Sequence, residues 1–155
     1  MLRNILTAAA ALAVAAAAAP VAIAQTPADY HLSVVRIDPN PITPGGSTTV
    51  HAFIANTGPD TTDVPFTVTV TLPDGVTATG PYFPDNCRAN GSASRVRCTF
   101  PAGLPALATA TALVPVTAST LITRSASLQG LVSVQSAHDH HPGDTASPFT
   151  VTVTD

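Results

Sequence analysis

Residues 66–72 read Phe-Thr-Val-Thr-Val-Thr-Leu, and residues 149–155 repeat the pattern as Phe-Thr-Val-Thr-Val-Thr-Asp. In both stretches every second residue is apolar, except for the final Asp155, and the residues between are threonines. Successive side chains of an extended strand point to opposite faces, so the apolar residues fall on one face and the threonines on the other. A period of two residues is typical of a half-buried β-strand. Each stretch therefore predicts a strand that packs one face against a core.

The same alternation continues through most of the chain after its first 24 residues. Runs of alternating residues begin at Val50, Val96, Ala108 and Leu128, and a further strand is expected from Tyr30 to Ile37. Turn-forming residues separate these runs, as they do between short antiparallel strands. About seven strands of this kind predict an all-β fold, an Ig-like antiparallel β-sandwich.

Two local features predict how particular strands are arranged. Asn90 and Gly91 lie between the two cysteines of the chain, and Asn-Gly favours the positive φ that a tight hairpin turn requires. Pro115 stands inside an alternating run. Because proline has no N–H to donate to a neighbouring strand, that strand is predicted to be bulged or at a sheet edge.

The first 24 residues have the composition of an export signal. Arg3 supplies a basic start, an alanine-rich apolar run follows, and Ala22 and Ala24 are the small residues that a cleavage site requires. We expect cleavage before Gln25. The competing interpretation is an uncleaved membrane anchor, which needs an apolar span of about 20 residues. Alanine is only weakly lipophilic and Pro20 interrupts the run, and both observations favour cleavage.

The expected domain organisation follows from this signal. Residues 1–24 are predicted to be a cleaved signal peptide, residues 25–29 a short linker, and residues 30–155 one sandwich domain. Five arginines and nine aspartates remain after cleavage, a net charge of −4, with no lysine and no glutamate. This acidic balance lacks the basic footprint of a nucleic-acid-binding protein. We expect a secreted, extracytoplasmic monomer with no further membrane span and no nucleic-acid partner.

Cys87 and Cys98 are the two cysteines of the chain. In an oxidising compartment an even pair at short spacing predicts one disulfide. Closing a loop this short stabilises the fold by about 3 kcal/mol in the chain-entropy model. The alternative is a metal site with two thiolates. Such a site needs two further ligands close by, and residues 88–97 contain none.

A series of landmarks occurs in a fixed order along the chain. They are Asp-Pro-Asn-Pro-Ile-Thr-Pro-Gly-Gly at 38–46, Ala-Asn-Thr-Gly-Pro at 55–59, Thr-Leu-Pro-Asp-Gly-Val at 71–76, the cysteine pair, and Gly-Leu-Pro-Ala-Leu-Ala-Thr-Ala-Thr at 103–111. Over about residues 30–155 this order resembles the Ig-like conserved-repeat domain of prokaryotic surface proteins, a family of unknown function akin to the bacterial cell-adhesion-related domain. The resemblance implies a sandwich fold and a place at the cell envelope. It brings no catalytic residues with it.

His138, Asp139, His140 and His141 form the densest cluster of potential metal ligands. In an extended chain His138 and His140 point the same way, and imidazoles with a carboxylate suit zinc or copper. The alternative is a solvated polar loop, because the Pro-Gly-Asp that follows continues the loop character. A small extracytoplasmic metal-binding protein is therefore the alternative function.

Tyr82 and Phe83 precede the cysteine hairpin, and Arg88, Arg95 and Arg97 flank it. Arginine and aromatic side chains are enriched in binding surfaces, so this hairpin is the predicted contact with a protein or glycan partner at the envelope. The alternative is that the two aromatic residues cap the core while the arginines keep a sheet edge soluble.

Catalysis requires a nucleophile, a base within reach and a group that orients the base. The serines, histidines and aspartates of this chain match no motif that arranges them so, and the cysteines are expected to be oxidised. The chain has no glutamate, and no two of its aspartates are recognisably placed as the paired carboxylates of a glycosidase. We therefore expect a non-enzymatic Ig-like module without a cofactor, with a structural or adhesion/interaction role at the bacterial cell envelope.

Overall fold

The computed structural model describes residues 26–155. The predicted signal peptide, residues 1–24, and the expected new N-terminus at Gln25 lie outside the described residues. Nine strands follow one another along the chain: β1 (Leu32–Val35), β2 (Ser47–Asn56), β3 (Phe66–Thr71), β4 (Val76–Ala78), β5 (Arg88–Ala89), β6 (Arg95–Phe100), β7 (Thr109–Ala118), β8 (Ala126–Ser136) and β9 (Ala146–Val153). One 3-10 turn, Pro142–Asp144, precedes β9.

The strands form two antiparallel sheets that pack face to face. One sheet has the order β1-β2-β7-β4, and the other has the order β5-β6-β3-β8-β9. The predicted all-β, Ig-like sandwich is therefore confirmed. The structure has nine strands where about seven were expected, because β4 and β5 contain only three and two residues.

The alternating stretches supply the core, as predicted. β3 directs Phe66, Val68 and Val70 into the space between the sheets, where all three are buried, and β9 does the same with Phe149 and Val151. Burying a side chain of this size stabilises a fold by about 1.5–3 kcal/mol relative to leaving it in water. The intervening threonines face outward, so the five-stranded sheet presents a polar outer surface.

The first strand is shorter than the sequence predicted, because β1 ends at Val35 rather than at Ile37. After Val35 the chain crosses to the other sheet, where Ile42 forms a parallel bridge with Val153. Ile42 N donates a hydrogen bond to Thr152 O of β9 at 2.9 Å, and Ile42 O accepts one from Thr154 N, just after β9, at 2.8 Å. This crossover leads the chain away from β2, so the ladder between β1 and β2 cannot continue.

The prediction that Pro115 marks an edge or bulged strand is wrong, because β7 lies between β2 and β4. The carbonyl of Pro115 accepts a hydrogen bond from Thr79 N at 3.0 Å, on the side of β7 that faces β4. The N–H and C=O of one residue in a strand point to the same side. The missing N–H therefore faces Thr79, the first residue after the end of β4, so no bond within the β4 ladder is lost.

The turn between the cysteines also differs from the Asn-Gly hairpin that was predicted. Five residues connect β5 to β6, and the positive φ falls on Ala93 (51°) rather than on Gly91. The side-chain oxygen of Asn90 accepts hydrogen bonds from Ser94 N and Arg95 N, both at 3.0 Å. Asn90 thus organises the turn through its side chain, as Asx-turns do.

Gly130 stands in the middle of β8 because no side chain fits there. It pairs with Phe149 across the ladder between β8 and β9. A Cβ atom at position 130 would lie 2.2 Å from Cζ of the Phe149 ring. The ring therefore occupies the space above the glycine backbone and closes the core at this point.

Candidate partner-binding surface

The predicted disulfide is confirmed, and it ties the smallest strand to the sheet. Cys87 and Cys98 are bonded, with their Cα atoms 4.1 Å apart. β5 pairs with β6 only through Arg88 opposite Arg97 and Ala89 opposite Val96. Two residue pairs are too few to hold an edge strand by themselves. The disulfide fixes one end of β5, and the turn organised by Asn90 fixes the other.

Arg95 and Arg97 lie on the outer face of the five-stranded sheet. The residues between and after them, Val96 and Cys98, are buried, and strand alternation turns both arginines outward. They line a shallow depression of about 310 Å³. Its other lining residues are Thr69, Thr71, Ser133 and Gln135, from β3 and β8. The depression is thus built from arginine, hydroxyl and amide groups.

Arg88 lies directly opposite Arg97 in the ladder between β5 and β6, so it shares the same outer face. Its Nη1 atom donates hydrogen bonds to the carbonyl oxygens of Asp85 (2.7 Å) and Cys87 (2.8 Å). These carbonyls orient the guanidinium without neutralising its charge. Within residues 26–155 no carboxylate oxygen lies within 4.0 Å of Arg88, Arg95 or Arg97. We call these three residues the arginine face.

The two predicted aromatic residues do not join the arginine face. Phe83 pairs with Leu113 of β7 through two backbone hydrogen bonds, of 3.1 and 2.8 Å, and so lies on the four-stranded sheet. Its side chain is 58% exposed. Tyr82 is half-buried and packs against the core. Phe83 and the arginines therefore belong to different sheets, and the predicted partner-binding role of each set stays a prediction.

Phe83 instead extends an apolar stripe that the sequence did not reveal. On the outer face of the four-stranded sheet, Val35 lies opposite Phe53, and Leu113 lies opposite Phe83. Phe53 and Leu113 are diagonal neighbours on β2 and β7, close enough for their side chains to interact. The sequence does not show this stripe, because its residues are far apart along the chain and only the pairing of the strands brings them together.

The histidine loop is held to the rest of the domain by carboxylates. His138 Nδ1 donates to the carboxylate of Asp63 at 2.9 Å, and this hydrogen bond holds the pKa of Asp63 below its ordinary value. His31 Nε2 contacts Asp144 Oδ1 at 2.5 Å. The rings of His31 and His141 lie 4.6 Å apart, centroid to centroid.

Asp139 fastens the same loop to the edge of the four-stranded sheet. Its Oδ2 atom accepts a hydrogen bond from Leu32 N of β1 at 3.1 Å, and its Oδ1 atom accepts one from His141 N at 3.0 Å. The side chain is 4% exposed. Asp139 therefore acts in the structure as a cap for a backbone N–H.

These contacts bear on the predicted metal ligands. His138 and Asp139 face different partners, His140 is exposed, and the His141 ring lies against the His31 ring at an interplanar angle of 33°. In the described part of the chain no three histidine, cysteine, aspartate or glutamate residues converge as a metal would require. The metal-binding role of residues 138–141 stays a prediction without a ligand cluster behind it.

Asn56 is a buried polar residue that the sequence analysis did not single out. It is fully buried at the end of β2, and its side chain hydrogen-bonds to two separate segments, the turn that follows β2 and the residues before β7. Its Nδ2 atom donates to the carbonyl oxygens of Asp60 (2.8 Å), Leu104 (3.1 Å) and Pro105 (3.2 Å), and Oδ1 accepts from Gly58 N (3.1 Å). The available signal was its position, because it follows Ile54 on the inward face of β2. Its role is structural.

None of the helical segments in residues 26–155 is long and apolar enough to cross a membrane. No family model and no curated protein sequence matches this chain.

Solved structures resemble the fold. The major pilin subunit BcpA of Bacillus cereus, in a D312A form, superposes with a TM-score of 0.56 at 9% identity. That match covers 81% of this chain, which spans only 40% of the pilin chain. The third cohesin of ScaC from Acetivibrio cellulolyticus, in complex with the ScaB dockerin, superposes with a TM-score of 0.51 at 14% identity, over 80% of this chain and 99% of the cohesin. At these identities the likeness establishes the fold alone.

Proposed function

We propose that this chain is an exported, non-enzymatic Ig-like module with a structural or adhesion/interaction role at the bacterial cell envelope. The proposed mature form begins at Gln25, after a cleaved signal peptide at residues 1–24, and residues 30–155 form the domain. The observation that carries the proposal is the arginine face, a set of three cations that have no carboxylate of residues 26–155 within 4.0 Å. A surface of this kind is suited to a charged partner.

Two further observations support an interaction role. The first is the company of the fold, because one protein with a similar fold is a major pilin subunit and another is a cohesin in complex with a dockerin. The disulfide is the second observation, because disulfides persist in oxidising compartments outside the cytoplasm.

The arrangement of the titratable groups supports a role without catalysis. Both cysteines are in the disulfide, which removes them as thiolate nucleophiles. Among the described residues no imidazole nitrogen is hydrogen-bonded to a serine or threonine hydroxyl. A hydroxyl nucleophile would need such a neighbouring base.

The compartment is tested by mass spectrometry of the chain recovered from the medium or the cell envelope. The proposal predicts a mass that starts at Gln25 and is two hydrogens below that of the dithiol form. A chain that keeps Met1, or that carries free thiols, contradicts export.

The interaction role is tested by co-sedimentation of the purified chain with washed bacterial envelopes. The proposal predicts that the wild type sediments with the envelopes and that an Arg88→Ala/Arg95→Ala/Arg97→Ala form sediments less. Arg124→Ala is the matched control, because it removes an exposed arginine from outside the arginine face. A wild type that stays in the supernatant contradicts the proposal.

A further inference from the structure

We propose that the arginine face binds a hydrophilic polyanion, an acidic glycan polymer whose carboxylate or phosphate groups engage Arg88, Arg95 and Arg97. This inference rests on the proposed function, since it names the class of partner that the module would meet at the envelope.

The charge distribution is the first argument. The described residues contain five arginines and nine aspartates, yet three of the five arginines share one outer face. Arg36, by contrast, forms an ion pair with Asp38 at 2.9 Å. A cluster of positive charges on the surface of a molecule with a negative net charge still creates a local potential that attracts anions. The face is therefore complementary to a polyanion although the whole chain is acidic.

The position of Arg88 opposite Arg97 is the second argument. Like charges directly opposite each other in an antiparallel ladder destabilise it. The structure nevertheless holds the pair together, through the adjacent disulfide and through the carbonyls that bind Arg88 Nη1. An anion that binds both guanidinium groups would relieve this repulsion, and this relief would favour the bound state.

The lining of the depression is the third argument, and it favours a glycan over a protein. The centre of a protein–protein interface is rich in aromatic residues as well as in arginine. The depression instead presents hydroxyl and amide groups from Thr69, Thr71, Ser133 and Gln135 next to Arg95 and Arg97. Hydroxyls and amides both donate and accept hydrogen bonds, as a sugar polymer requires. The aromatic Phe83 lies on the opposite sheet.

The spacing of the arginines is suited to a polymer. Arg95 and Arg97 are two residues apart on one strand, about 7 Å along its axis, and Arg88 lies across the ladder from Arg97. Guanidinium groups recognise carboxylates and phosphates with two parallel hydrogen bonds each. Successive anionic groups of one chain can therefore be held at the same time.

The experiment measures binding of four defined probes to the purified chain by isothermal titration calorimetry. Polygalacturonate carries carboxylates, poly(glycerol phosphate) carries phosphates, dextran is a neutral glycan, and poly-glutamate is an acidic peptide. The proteins are the wild type, Arg88→Ala/Arg95→Ala/Arg97→Ala, the corresponding triple lysine form, the single variant Arg97→Ala, and Arg124→Ala. The single variant gives the answer if the triple variant does not fold.

We expect at least one of the two anionic glycan polymers to bind the wild type and Arg124→Ala alike, and dextran not to bind. The triple alanine form should bind at least about tenfold more weakly than the wild type, and Arg97→Ala should also bind more weakly. The affinity of the triple lysine form should lie between those of the wild type and the triple alanine form, because lysine keeps the charge but not the paired hydrogen bonds. Which polymer binds identifies carboxylate or phosphate as the recognised group.

Three results overturn the inference: no binding of either anionic glycan, equal binding by the wild type and Arg97→Ala, or tighter binding of poly-glutamate than of both polymers. The last result assigns the face to an acidic protein and leaves the proposed interaction role intact. Failure of the proposed function itself appears separately, as a wild type that does not sediment with envelopes.

Discussion

Asp38 closes the open edge of the five-stranded sheet by accepting a hydrogen bond from Thr150 N at 2.8 Å. Thr150 lies on the edge strand β9, just before the part of that strand that bridges to Ile42, and its N–H would otherwise be free to pair with another chain. Pro148 lies two residues earlier on the same strand and offers no N–H to that edge. At the other sheet, Asp139 caps Leu32 N of the edge strand β1 in the same way. Aspartates thus protect an edge of each sheet.

The cap at Asp38 predicts an acid-sensitive contribution to stability. The hydrogen bond from Arg36, and then that from Thr150 N, hold the pKa of Asp38 below its ordinary value. A carboxyl whose pKa is lower in the folded state stabilises the fold above its unfolded pKa, and this contribution is lost as the pH falls through the folded pKa. Asp38→Asn should therefore lessen the decrease in unfolding free energy between about pH 5 and about pH 2.

The measurement is urea denaturation at a series of pH values. Asp74→Asn is the control, because the Asp74 carboxylate accepts no hydrogen bond within residues 26–155. Since Asp38 is exposed, the effect at neutral pH should stay below about 1 kcal/mol. Identical pH profiles for the wild type and Asp38→Asn would show that the cap contributes nothing.

Asn56 should be among the most sensitive polar positions of the domain. Asn56→Ala would leave Asp60 O and Gly58 N without their hydrogen-bond partner, and it would remove one of the two donors to Leu104 O, which keeps its bond from Thr62 N. Each buried polar group that is left unsatisfied costs about 1–3 kcal/mol. We therefore expect Asn56→Ala to lose about 3 kcal/mol in unfolding free energy. Guanidinium denaturation measures it, with the exposed Asn40→Ala as a near-neutral control. A loss below about 1 kcal/mol is incompatible with the network described.

Gly130→Ala should destabilise the fold by about 1–3 kcal/mol, because the new methyl group overlaps the Phe149 ring. Gly91→Ala is the matched control, since nothing lies within 4 Å of a Cβ at that position. Adding Phe149→Leu to Gly130→Ala should cost less than the two changes summed, as expected of residues in contact. Thermal unfolding of the four variants measures this coupling, and strict additivity would disprove the contact.

Removing the disulfide should both destabilise the domain and weaken the arginine face. Cys87→Ala/Cys98→Ala is expected to lose about 3 kcal/mol of unfolding free energy, because the unfolded chain regains the freedom of the open loop. β5 should also become mobile, since only two residue pairs hold it to β6. Hydrogen exchange of the Arg88 amide, which faces Arg97 across the ladder, measures this directly. Protection equal to that of the wild type would mean that the ladder and turn suffice.

The sequence predicts the sandwich well because alternation assigns each residue to a face without reference to its neighbours. Phe66 and Phe149 point inward whichever strands flank them, and both are buried. Pairing between strands is not encoded so locally. Nothing in the stretch around Phe83 indicates that it meets Leu113, and nothing around His138 points to Asp63. The arginine and aromatic residues therefore looked like one cluster although the two sheets separate them.

The turns show the same limit at shorter range. The sequence at Asn90 and Gly91 suggested a tight hairpin turn with its positive φ at that dipeptide, but the Asn90 side chain organises a five-residue connection whose positive φ falls on Ala93. A side chain that binds several backbone groups outweighs the local preference of a dipeptide. Asn56 belongs to the same class, because its inward position on β2 was visible while its hydrogen-bond partners were not.

The location of ligand contacts on the folded chain tests the central claim most directly. Amide chemical shifts of ¹⁵N-labelled chain would be recorded during titration with the anionic glycan polymer that binds in calorimetry. The account predicts perturbations grouped on β5 and β6 around Arg88, Arg95 and Arg97, extending to Thr69 on β3 and Ser133 on β8. Perturbations grouped around Phe83 and Leu113 on the other sheet, or spread evenly over the surface, would contradict it.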